Sequence, residues 1–169
     1  MTNPSIQPLV LDWDGVQHWR DEARSAGFRV VLTNGVFDLL HRGHVDYLQR
    51  SAALGDRLLV AVNSDASVRA LKGPARPLNA ESDRAYVLAG LRCVTATFIF
   101  PGPRLAAEIL ALRPDVYTKA GDYTLETLDA SERAALHAVG AAIHFLPFLT
   151  GLSTTGLIAK GARAFSQPT

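Results

Sequence analysis

The chain has a single cysteine, Cys93, so no intrachain disulfide and no thiolate metal cage can form. It has almost no net charge, because 17 basic side chains face 16 acidic ones and leave +1. That balance argues against an extended nucleic-acid surface, which needs a basic excess to neutralise phosphates. It leaves room for a small phosphorylated ligand, for which a few placed cations suffice. No apolar run approaches the roughly 18 residues of a membrane-spanning helix. Residues 1–8 carry no basic stretch followed by an apolar one, so neither a membrane span nor a secretory leader is expected, and the expected location is cytoplasmic. Internal repeats and low-complexity stretches are missing, as are the GxGxxG and Walker A loops. No carboxylate cluster stands out as a metal cage. Cys93 lies in an apolar, strand-like stretch and reads as core, so no obvious nucleophile remains.

What is present is alternation. A length of 169 residues suggests one domain with a sizeable core. Short apolar runs at 28–33, 57–62, 94–100, 116–119 and 142–146 read as strands. Between them, 43–54, 80–91, 104–112, 129–140 and 155–164 read as helices, and 13–26 as an amphipathic helix ending at Gly27. Asn79 is placed as an N-cap, Asp129 and Glu132 have the spacing of a reciprocal capping pair, and 72–79 is a Gly/Pro-bearing loop. Buried strands separated by helices predict parallel βαβ units. The expected fold is therefore α/β: one doubly wound, Rossmann-like domain at 28–169 with a five-stranded, mainly parallel sheet, preceded by a helical segment at 1–27. Trp13 and Trp19 in that segment either pack it onto the domain or anchor a dimer.

Ligands of such sheets bind at the carboxyl ends of the strands. After the first strand comes Thr33-Asn34-Gly35-Val36-Phe37-Asp38-Leu39-Leu40-His41-Arg42-Gly43-His44. Gly35 allows close backbone approach, and Gly43 stands where a helix begins and its N–H groups are unpaired. His41 and His44, three apart, reach one point in front of that helix, a phosphate-binding arrangement. Ordinary helix capping is the plainer use of such a pair. A metal pair would need a third ligand, with only Asp38 and Asp46 near in sequence. Ser153, Thr154 and Thr155 precede another helix, either as a cap or as a second anion site. Lys72 lies in the Gly/Pro loop. Arg84, early in a helix, needs an anion or a carboxylate such as Glu81. Asp65 closes the second strand. Lys119, Gly121 and Asp122 follow the fourth, with Asp122 either orienting ribose or base or forming a turn.

The stretches TNGVFDLLHRGHVDYL, LKGPARPLNAESDRAYVLAGL, KAGDY and GLSTTGLI, in this order, resemble the HxGH nucleotidyltransferase superfamily over about residues 28–160. The resemblance is strongest to its heptose 1-phosphate adenylyltransferases. It implies transfer of AMP from ATP to D-glycero-β-D-manno-heptose 1-phosphate, with Mg²⁺ arriving with ATP and no protein metal site. It further implies catalytic roles for His41, His44, Lys72 and Arg84. Nucleotide contacts fall to Thr33, Asn34, Gly35, Val36, Phe37, Gly43, His44, Lys119, Gly121, Asp122, Ser153, Thr154 and Thr155, and acceptor contacts to Asp38, Asp65 and Lys72. Ala120 stands where that branch has glycine, and would be strained if the position requires positive φ. Members commonly dimerise and are often fused to a sugar kinase, so a homodimer and a separate kinase are expected as partners, with no nucleic acid and no membrane. Shared motifs leave a glycerol 3-phosphate cytidylyltransferase, an FMN adenylyltransferase or a non-catalytic nucleotide-binding module as alternatives.

Overall fold

The computed structural model describes residues 9–147, 149 and 154–165. Its strands are β1 (Val10–Leu11), β2 (Val30–Gly35), β3 (Arg57–Asn63), β4 (Ala96–Phe100), β5 (Val116–Ala120) and β6 (Ala142–Leu146). Its helices are α1 (Trp13–Ser25), α2 (Arg42–Ala52), α3 (Asp65–Lys72), α4 (Glu81–Ala89), α5 (Ala106–Leu112), α6 (Ala130–Val139) and α7 (Thr154–Phe165). The strands pair in the order β1-β4-β3-β2-β5-β6, all parallel. The doubly wound α/β fold is thus as expected, with six strands instead of five. The extra one, β1, has two residues, too few to leave a periodic signal, and pairs Val10 with Thr97.

Successive residues of β2 and β3 point to opposite faces. Val30, Leu32, Leu59 and Ala61 pack with Val16 of α1, Ile109 of α5 and Leu136 of α6. Val31, Leu58, Val60 and Val62 pack with Tyr47 and Leu48 of α2 and Leu88 of α4. Both faces are covered, which is why the strands are unbroken apolar runs. Trp19 packs against the first cluster, and the Trp13 ring lies 6.1 Å from that of Phe98. Buried Arg20 ties α1 to its neighbour α5 by donating to the carbonyls of Leu112 (2.9 Å) and Arg113 (2.7 Å) at its end. Among the described residues, no helix is long and apolar enough to cross a membrane.

Two local expectations change, and one element is added. The segment after β3 is a helix, α3, capped by the Ser64 hydroxyl, which accepts the Ser67 N–H at 3.2 Å. Asn79 is not the cap of α4; that position is Ala80, without a side-chain bond, and the Asn79 amide donates instead to the Asp38 carbonyl. Asp129 does cap α6, accepting from Ser131 and Glu132, but Glu132 does not reach back to it and turns inward. In the last two cases a tertiary partner, the Asp38 carbonyl or the Leu105 N–H, outcompetes the local bond.

The strand order reverses at β2, flanked by β3 on one side and β5 on the other. The crevice at the carboxyl ends of β2 and β5 is the position where doubly wound sheets hold ligands. Here it is bounded by Asn34, Gly35, Lys119 and Ala120.

Candidate functional site

A cavity of about 440 Å³ opens at this crevice. One wall is the β2–α2 turn, Asn34 to Asp38; the others carry His44 of α2, Lys72 and Arg76, Arg104 and Lys119, and Thr154 of α7. The turn is shaped by Phe37, whose φ of 49° is left-handed and whose ring folds back over Gly35. A Cβ at Gly35 would meet that ring at 2.8 Å, so glycine is needed there for packing as well as for ligand approach. The Phe37 ring in turn meets His44 edge-on at 5.5 Å.

His41 and His44 close the first turn of α2 as a reciprocal cap. His41 Nδ1 accepts the Gly43 N–H at 3.1 Å, and His44 Nδ1 accepts the His41 N–H at 3.4 Å. Their rings stack at 3.9 Å. Capping and anion binding are therefore compatible uses of the same pair. A neutral imidazole has one donor and one acceptor nitrogen, so two Nδ1 acceptors place both protons on Nε2. Burial, then His41 and Lys72, push the His44 pKa down to about 4. His41 is lowered by burial as well. At neutral pH the pair supplies two N–H donors without charge, and the cation near them is Lys72. Its side chain makes no hydrogen bond or ion pair among the described residues. Thr154, from the far end of the chain, lines the same cavity and donates to the Leu39 carbonyl at 3.4 Å.

Two buried residues hold the wall between α3 and α4. The Asp38 carboxylate accepts from Arg76 Nε (2.6 Å), Leu78 N (2.8 Å) and Asn79 N (2.9 Å). Burial alone would raise its pKa; the bonds from Asn79, Leu78 and Arg76 outweigh it and hold the group below its ordinary value. Arg84 donates to the carbonyls of Asn79 (3.0 Å), Val36 (2.6 Å) and Asn63 (2.7 Å) and to Asp65 Oδ1 (2.7 Å). Its carboxylate partner is Asp65; Glu81 accepts the Asp65 N–H instead. With its guanidinium so engaged and 2% exposed, Arg84 stands behind the cavity wall, as does Asp65, and neither lines it.

Other expected residues divide. Asn34, Gly35, Val36, Phe37, Asp38, His44, Lys72, Lys119 and Thr154 line the cavity. Thr33 does not: it is fully buried, its hydroxyl bonded to Tyr47 and to the Thr118 carbonyl. His41, Gly43, Gly121 and Asp122 lie outside the lining. Ser153 and the Thr155 side chain fall outside the described residues. Ala120 ends β5 with ordinary extended backbone, and the positive φ, +104°, falls at Gly121, so the alanine carries no strain. Arg76, Arg104 and Tyr123, which the sequence does not single out, line the cavity, as does Glu132, which the sequence marks only as half of a capping pair. No motif marks them, because each arrives from a different loop or helix.

The model of the cytidylyltransferase-like family matches residues 32–157. The bifunctional protein HldE of Alkalilimnicola ehrlichii is 47% identical over 151 residues, covering 89% of this chain and 31% of that protein. HldE of Halorhodospira halophila is 46% identical over 157 residues, covering 93% and 32%. The chain thus spans about a third of the length of these curated relatives. Among solved structures, a lipopolysaccharide core biosynthesis protein from Thermoplasma volcanium superposes with a TM-score of 0.60 at 27% identity, covering 73% of this chain and 98% of that one.

Proposed function

The chain belongs to the cytidylyltransferase-like family, and from that premise we propose that it is an adenylyltransferase transferring AMP from MgATP to D-glycero-β-D-manno-heptose 1-phosphate. The observation that carries this reading is the convergence of His44, Lys72 and Thr154, distant in sequence, on one cavity at the strand-order reversal. The likeness to HldE proteins and to a lipopolysaccharide core biosynthesis protein supports the heptose acceptor.

An oxygen of the sugar phosphate attacks the α-phosphorus; the new P–O bond forms as the bond to the β-phosphate oxygen breaks, and pyrophosphate leaves. The attacking phosphate is ionised at neutral pH, so the step needs positioning and charge stabilisation more than a base. The Nε2–H groups of His41 and His44 donate to the triphosphate oxygens, with the positive end of the α2 dipole behind them. Lys72 supplies the positive charge on the acceptor side. Mg²⁺ enters as the counter-ion of ATP, and the acceptor's own phosphate would come from a separate sugar kinase. Arg84 and Asp65 act in this scheme by holding Val36, Asn63 and Asn79 in place, a positioning role in place of direct phosphate contact.

A pyrophosphate-release assay across ATP, CTP, GTP and UTP, each with heptose 1-phosphate, glycerol 3-phosphate and FMN, tests the proposal. Release with ATP and the heptose phosphate is expected. Preference for CTP with glycerol 3-phosphate, or for ATP with FMN, would replace it by the corresponding transferase. Binding of ATP without release under any acceptor would point to a non-catalytic module.

A further inference from the structure

Glu132 has the spacing of a helix-capping residue, yet its carboxylate is buried at the back of the cavity, 3% exposed. One oxygen accepts the Leu105 N–H at 3.0 Å, and the other lies 3.8 Å from Lys119 Nζ. Lys119 donates to Asn34 Oδ1 at 2.8 Å and to the Tyr117 hydroxyl at 3.2 Å. The Tyr117 hydroxyl donates to the same Asn34 Oδ1 at 2.8 Å. With its oxygen accepting twice, Asn34 has a fixed amide orientation, and its NH₂ is the end left for a ligand. Of the three N–H donors on Lys119, two are engaged within this triangle.

We propose that Glu132 is a positioning residue for the nucleotide: it holds Lys119, and through Lys119 the Asn34 amide, in the geometry that grips the triphosphate substrate at the β2–β5 crevice. A buried ammonium needs a buried counter-charge to stay protonated. Burial lowers the Lys119 pKa, Glu132 opposes this most, and Arg104 and Asp129, themselves paired at 2.7 Å, add smaller effects of opposite sign. Burial, and Glu132 with it, raises the Tyr117 pKa, so its hydroxyl keeps the proton it donates to Asn34. The triangle therefore has one consistent set of donors and acceptors, and it depends on the carboxylate.

The inference rests on the nucleotide site proposed above. Its test is a double-mutant cycle of Glu132→Gln and Lys119→Met, read as KM for nucleotide, KM for acceptor and kcat. Glu132→Gln is expected to raise nucleotide KM about tenfold, the size of one hydrogen bond, with kcat and acceptor KM within about threefold. Lys119→Met should do at least as much, and the double variant should be no worse than Lys119→Met alone. Additive effects, an equal rise in acceptor KM, or an unchanged nucleotide KM overturn the proposal. If Glu132→Gln fails to fold, Glu132→Asp, which keeps the charge and shortens the reach, carries the same cycle. If the wild type uses CTP, the cycle is run with CTP and the inference stands. If the wild type binds no triphosphate, the adenylyl-transfer reading fails and the inference falls with it.

Discussion

Replacing His44 with asparagine separates the two properties that burial gives this side chain. Asn Oδ1 can take over from Nδ1 as acceptor of the His41 N–H, so the cap of α2 and the fold should survive. The Nε2–H donor is lost. Removing one preorganised donor to a developing oxyanion costs about 10²–10³ in kcat, or roughly 2.7–4 kcal/mol, and that loss is expected in pyrophosphate release. The second effect is on stability. His44 titrates at about 4 when folded against 6.5 for the ordinary group. Between these values the unfolded chain binds more protons, so folding stability falls as pH drops through that window. The linkage relation gives about 2 kcal/mol lost between pH 8 and pH 5, an upper figure because solvent reaches part of the ring. The variant lacks this proton uptake. Urea unfolding of both proteins at pH 8 and pH 5 should therefore show a smaller acid loss in the variant by up to about 2 kcal/mol, since other groups titrate alike in both. A kcat within about fivefold of wild type would refute the donor role. Equal acid losses would refute the buried, neutral histidine.

Two further substitutions test the wall of the cavity. Arg84→Lys keeps the charge but cannot span three carbonyls and Asp65, so it should lose about 2–4 kcal/mol of stability in urea unfolding; a change below about 0.5 kcal/mol would remove its clamp role. Asp38→Asn leaves three donors facing one acceptor oxygen and should loosen the segment from Arg76 to Asn79. Acceptor KM is expected to rise about tenfold with nucleotide KM little changed; a selective nucleotide effect would place that wall on the other substrate.

The layered α/β fold is legible in the residue pattern, because strands buried on both faces must be apolar throughout and helices covering them must be amphipathic. The capped start of α2 is legible too, because the residues from Asn34 to His44 act on one another within a single turn and helix end. Packing between distant elements sets which polar groups line the cavity and which stand behind its wall. Arg84 looks like a phosphate contact on a line of sequence, but three carbonyls and Asp65 claim it from separate elements. Glu132 has the spacing of a cap, yet Leu105 and Lys119 draw it inward. The difference is one of range. Patterning and capping are set by neighbours within a few residues, whereas a buried charge takes whichever partner the packed fold delivers, and that partner comes from as far as 95 residues away, for Arg20.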